Sequence, residues 1–165
     1  MSSAATFVST LTQEITAALA RDDVESASDS RIRLLVVGQA DLAMVCRALA
    51  AAVSSHQRLQ IADIVLVASQ SSVQSLGGLD SGGFRISPIS NDELEAAQGC
   101  LCCSMRSEIA TVLSQLFLKV LRREQPLVRL VVVVTAAGQA DPLRQALRHA
   151  PFLGQRYRFV GALGA

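Results

Sequence analysis

The stretch Leu127-Val128-Arg129-Leu130-Val131-Val132-Val133-Val134 limits the fold more than any other. β-branched residues favour extended backbone, where the branched side chain packs well on a pleated surface. A strand with one wet face alternates apolar and polar residues. A run of this kind instead asks for burial on both faces, as in a central strand of a parallel sheet. Two other stretches have the same character: residues 31–37 (RIRLLVV), which end at Gly38, and residues 61–68 (IADIVLVA). Shorter strands are expected over 84–87 (FRIS) and 157–163.

Parallel strands must be joined by crossovers, usually helices. Residues 41–54 carry a helical pattern with Asp41 near its start. Residues 104–123 carry the strongest one, with Met105, Ile109, Val112, Leu113, Leu116, Val120 and Leu121 on one stripe. Arg122 and Arg123 suit the C-terminal end of that helix dipole, and Pro126 stops the helix. Asp141 and Pro142 read as N-cap and first helical residue of a short helix over 142–149. Residues 69–83, rich in Ser and Gly, read as a loop, and 91–97 fit either a helical turn or an edge strand. These alternations predict an α/β fold: a mostly parallel sheet with helices on both faces, in three layers. Ahead of it, residues 7–20 form an amphipathic helix with Phe7, Val8, Leu11, Ile15 and Leu19 on one side, and residues 21–30 (RDDVESASDS) a polar linker. The expected organisation is therefore 1–30, N-terminal helix and linker, and 31–165, the α/β domain.

Composition narrows the classes of function. Half of the residues are hydrophobic but only 4% are aromatic, so the core is aliphatic. The net charge of +1 supplies no basic field, and no nucleic acid is expected as a partner. No apolar run approaches the ~18–20 residues of a membrane span. The Ser/Thr/Ala-rich start is interrupted by Glu14, Asp22, Asp23 and Glu25, which a transit peptide avoids, and a cytoplasmic location is expected. Three of the four cysteines fall in one cluster, which is not the pattern of a secreted disulfide framework.

That cluster, Gly99-Cys100-Leu101-Cys102-Cys103-Ser104-Met105-Arg106, carries the chemistry. Thiolates are soft donors that suit Zn²⁺, Co²⁺ or Ni²⁺. Adjacent Cys102 and Cys103 cannot both point inward in regular structure, so packing alone is a poor account of them. A helix starting at Ser104 would direct its N-terminal N–H groups at the sulfurs and favour thiolate. Cys100, Cys102 and Cys103 are the candidate metal ligands; a redox pair and inert core cysteines are the other readings. Water, His56, His149 and Glu108 are candidates for a fourth ligand, and Cys46, on an apolar helix, is read as core.

In such sheets sites form at the C-terminal ends of the strands, here after Gly38, in 69–83 and after Thr135. The loop Gly38-Gln39-Ala40-Asp41-Leu42-Ala43-Met44-Val45 stands where a phosphate-binding loop would. It has one Gly, no Lys, and a carboxylate where phosphates would lie.

With these residues in view, the chain resembles the CobW-type metallochaperone GTPases of the P-loop class. The cysteine stretch looks like that family's G-C-[IL]-C-C-[ST]-x-R signature, and Gly138-Gln139-Ala140-Asp141-Pro142 resembles its G-L-A-D-P segment. The resemblance covers about residues 31–165 and the first half of such a protein. It implies a P-loop fold, guanine nucleotide use around the loops of Gly38 and Gly138, and a transition metal held by the cysteines for delivery to a client protein.

The departures from the family run in one direction. Met44 stands where the phosphate-binding Lys belongs and Val45 where a Mg²⁺-binding Thr belongs. Ser69-Gln70-Ser71-Ser72 replaces Asn-Glu-Phe-Gly, Thr135-Ala136-Ala137-Gly138 replaces E-[ST]-[ST]-G, and no N-K-x-D motif is present. Each loss removes charge stabilisation that phosphoryl transfer needs. The expectation is a degenerate, truncated member that binds a transition metal without GTP hydrolysis and has no catalytic residues. Two other functions stay open: a working GTP-dependent metallochaperone, and a pseudo-subunit that pairs with a full-length family member or with itself, its cysteines vestigial.

Overall fold

The computed structural model describes residues 2–38, 40–76, 81–90, 108–135 and 140–164. In chain order they form α1 (Ser2–Glu25), β1 (Ile32–Gly38), α2 (Leu42–Ser54), a 3₁₀ turn (Ile61–Asp63), β2 (Ile64–Ser69), α3 (Gln70–Ser75), β3 (Arg85–Ile89), α4 (Glu108–Leu121), β4 (Leu130–Thr135), α5 (Ala140–His149), α6 (Pro151–Arg156) and β5 (Tyr157–Leu163). The strands make one sheet in the order β3-β2-β4-β1-β5. Every pairing in it is parallel.

The three aliphatic runs are the three inner strands. In β1, Leu35 and Val37 face one helical layer while Ile32, Leu34 and Val36 face the other. The register carries this alternation across the sheet, pairing Leu35 with Val132 and Leu34 with Val131. One face packs on α1 and α2, through Leu11, Ile15, Leu19, Val45, Leu49 and Val53. The other packs on α4, α5 and α6, through Ile109, Leu113, Leu116, Leu143, Leu147 and Leu153. The fold is thus α/β in three layers, as the runs predict. Each fully buried Val or Leu contributes about 1.5–3 kcal/mol relative to exposure.

Several local readings change. The first helix runs on to Glu25, so the polar stretch after residue 20 is partly helical, and Asp22 within it is buried. Phe7 is exposed, although Leu11, Ile15 and Leu19 are buried as their spacing predicts. The Ser-rich stretch contains α3, because the Ser69 hydroxyl caps it by accepting from the Ser72 N–H at 3.2 Å. β3 extends to Ile89 and tolerates Pro88 because it is an edge strand. α4 is described from Glu108, and its last residue, Leu121, is exposed and off the buried stripe. α5 begins at Ala140, which puts Asp141 in its first turn rather than at the cap. The short α6 follows, entered by Pro151. Residues 91–97 lie outside the described residues. No helix among the described residues is long and apolar enough to cross a membrane.

Asp22 explains how α1 is tied down. Arg158, the second residue of β5, donates to it from Nε at 2.9 Å and from Nη2 at 2.5 Å. Arg33 of β1 approaches the same carboxylate at 3.0 Å and also bonds Asp23, whose other oxygen lies 2.8 Å from His56 Nε2. A bidentate guanidinium–carboxylate pair sequestered from water is geometrically demanding, and breaking it leaves the buried Arg158 charge paired only with Asp29, whose carboxylate oxygen stands 3.6 Å away. Asp22→Ala is therefore expected to lower the unfolding free energy by about 3–5 kcal/mol in urea denaturation. The double change Asp22→Ala with Arg158→Met should recover a large part of that loss. Equal stability of Asp22→Ala and the native chain would refute the clamp.

Candidate functional site

In a doubly wound sheet, ligands enter where neighbouring strands send their connections to opposite faces. That point lies between β1 and β4. The chain leaves β1 for α2 on one face and leaves β4 for α5 on the other. Gly38 and Thr135 end the two strands side by side in register, and Thr135 is a buried polar residue. Ser69, at the end of the parallel strand β2, opens onto the same edge, with its hydroxyl 3.1 and 2.8 Å from those of Ser71 and Ser72.

The helix that leaves this edge from β1 begins with its own anion. Asp41 adopts the extended N-cap conformation, and its Oδ1 accepts from the Ala43 N–H at 2.8 Å. Its carbonyl accepts from Val45 N–H at 3.0 Å. A carboxylate so placed occupies a donor and the positive end of the dipole that a phosphate would otherwise use. Val45 is fully buried in the core, and Met44 is half-buried and uncharged.

On its other side Gly38 is pressed against Gly164, just beyond β5. A Cβ on Gly38 would stand 3.2 Å from the Gly164 carbonyl oxygen, and one on Gly164 would stand 2.5 Å from the Gly38 oxygen. Gly164 also has φ +67°, in the left-handed region that L side chains rarely adopt.

Cys100, Cys102, Cys103 and Gly138 lie outside the described residues. The described residues that bracket the cysteines are Ser90, after β3, and Glu108, the first residue of α4. Both mark the C-terminal edge, because β3 runs parallel to β2 and α4 must return the chain to the start of β4. The two histidines are at the opposite edge. His56 follows the far end of α2 and is engaged by Asp23, and His149 ends α5. The side chain of Glu108 is outside what is described. Among the described residues no three His, Cys, Asp or Glu side chains converge as a metal site. Cys46 is buried in the α1–α2 layer, as its apolar helix predicts. Burial, and then the charge of Asp41, push its thiol up from the ordinary value, so it is a poor nucleophile at neutral pH.

What sequence reasoning missed is the arginine set along β5: Arg158 with Arg21, Arg31, Arg144 and Arg148 around one groove. The residues come from three elements and the position just before β1, and no local pattern joins them.

No protein-family model, curated protein or solved structure matches this chain.

Two substitutions test this edge. Gly164→Ala should cost about 1–3 kcal/mol, from the left-handed backbone and the clash with Gly38. Gly38→Ala, with the milder approach and an ordinary φ, should cost less; the reverse order in thermal melts would contradict the contact. Asp41→Ala should cost about 1 kcal/mol and Asp41→Asn only a few tenths, since the amide oxygen keeps the cap.

Proposed function

We propose that this chain is a transition-metal-binding protein of CobW-like type, which holds one Zn²⁺-class ion through Cys100, Cys102 and Cys103 and does not hydrolyse GTP. The observation that carries the reading is the cysteine run itself: three thiols in four residues after Gly99, ahead of helix α4. Its described flanks, Ser90 and Glu108, stand at the sheet edge where α/β proteins build their sites. Water, His56, His149 and Glu108 stay as candidates for the fourth ligand. Thiolate sulfur from the three cysteines, with water or an outside donor completing the set, suits the softer divalent ions.

The loop after β1 supports the second half of the reading. With Asp41 capping α2, Met44 at the position of the family's lysine and Val45 in the core, there is no cation to draw charge from a γ-phosphate and no hydroxyl for Mg²⁺. That favours the metal-binding reading over a working GTPase. Transfer of the ion to a client protein follows from the family resemblance.

Reduced protein is expected to take up about one equivalent of Zn²⁺ or Co²⁺, and the Co²⁺ form to show the intense bands of a sulfur-rich tetrahedral site. Affinity should rise with pH through the thiol range, because binding displaces protons. Changing Cys102 and Cys103 to Ser should abolish the bands, and Cys46→Ser should leave them. Uptake below about a tenth of an equivalent, under conditions that saturate a thiolate site, rejects the proposal. Calorimetry with Mg·GTP should show no micromolar binding.

A further inference from the structure

A groove of about 570 Å³ opens beside the first half of β5, walled by the C-terminal part of α1 on one side and by α5 and α6 on the other. It lies at the N-terminal edge of the sheet, since Tyr157 in its floor pairs with Ile32 at the start of β1. The edge of Gly38 and Thr135 is at the other end of the strands. β5 is an edge strand, hydrogen-bonded only to β1 among the described strands.

The groove collects five guanidinium groups, from Arg21, Arg31, Arg144, Arg148 and Arg158, against the carboxylates of Asp22 and Glu25. Two of the five are already matched. Arg158 is held by Asp22. Arg31 is bonded to Asp29 through Nε and Nη2 at 3.0 and 2.6 Å, and that carboxyl is held down at about 2 by the same bond. The other three are not matched in this way. Arg21, on the α1 wall, and Arg148, on the α5 wall, are exposed and form no ion pair among the described residues. Arg144 has only an exposed Asp141 oxygen at 3.7 Å. Its guanidinium carbon stands 4.5 Å from the centroid of Phe159, stacked so that the edge N–H groups stay available.

We propose that this groove binds a small polyanion carrying two or more phosphoryl or carboxylate groups. Its volume falls within the ~300–1,000 Å³ of small-ligand sites. Guanidinium forks on two facing walls match the planar, bidentate acceptor geometry of those groups. Like charges collected on both walls of one groove repel each other, and an anion between them removes that repulsion. Arg158 and Arg31, fixed by their own carboxylates, hold the floor in place without needing the ligand.

The test is calorimetric titration of the full chain at low ionic strength with sodium pyrophosphate and, separately, citrate. At least one is expected to bind with Kd below about 1 mM and to weaken as salt is raised. The pyrophosphate-to-citrate preference names the group recognised. Arg144→Ala with Arg148→Ala should weaken binding by about tenfold or more. Arg21→Ala, an exposed change on the facing wall that leaves the core untouched, should weaken it as well and stands in if the double variant does not fold. Arg122→Ala, in the turn after α4, should change nothing. Absence of heat with both anions would mean that the arginines only guard an edge strand against pairing. That result overturns the proposal, as does equal affinity in the native chain and the groove variants.

Discussion

Three aliphatic strands buried on both faces are the constraint that the rest of the structure serves. Strands β1, β2 and β4 have almost no residue in contact with water, so their backbone groups must be satisfied by neighbouring strands and both of their faces by helices. A single helical layer would leave Leu34, Val36, Val131 and Val133, or else Leu35, Val37, Val132 and Val134, exposed. This is why α1 belongs to the fold: with α2 it closes one face, and it reaches the edge strand β5 through Asp22 and Arg158.

The two ends of the sheet are built differently. At the N-terminal end, charged side chains from α1, β1 and β5 lock together around Asp22 and Asp23, His56 joins Asp23, and Tyr157 donates its hydroxyl to the Leu113 carbonyl at 2.7 Å. Among the described residues, the C-terminal end carries Gly38 against Gly164, the Asp41 cap, Thr135, and the hydroxyls of Ser69, Ser71 and Ser72. The first end resists deformation because breaking one buried ion pair strands its partner.

The arrangement of layers was legible in sequence because apolar periodicity reports burial directly. The unbroken run ending at Val134 reads as central, and Leu11, Ile15 and Leu19 form a face for a core or a second chain, which the fold resolves as core. Asp22 was not legible, since a carboxylate in RDDVESASDS reads as solvated until a guanidinium 136 residues away is brought to it. α3 was hidden because serines are weak helix formers, and its cap, Ser69, resembles loop composition. The cysteine run lies outside the described residues, so its chemistry is read from its composition alone.

Sequence alone determined what is local: which stretches extend, which coil and which faces are apolar. Each of these follows from the steric and solvation preferences of residues a few positions apart. Tertiary structure decided what depends on distant residues meeting. It set the order β3-β2-β4-β1-β5, gathered arginines from three elements and the residue before β1 around one groove, and paired Asp22 with Arg158. The reason is that strand order and side-chain pairing are fixed by the mutual burial of whole faces, a free energy shared across the sheet and written in no single stretch of it.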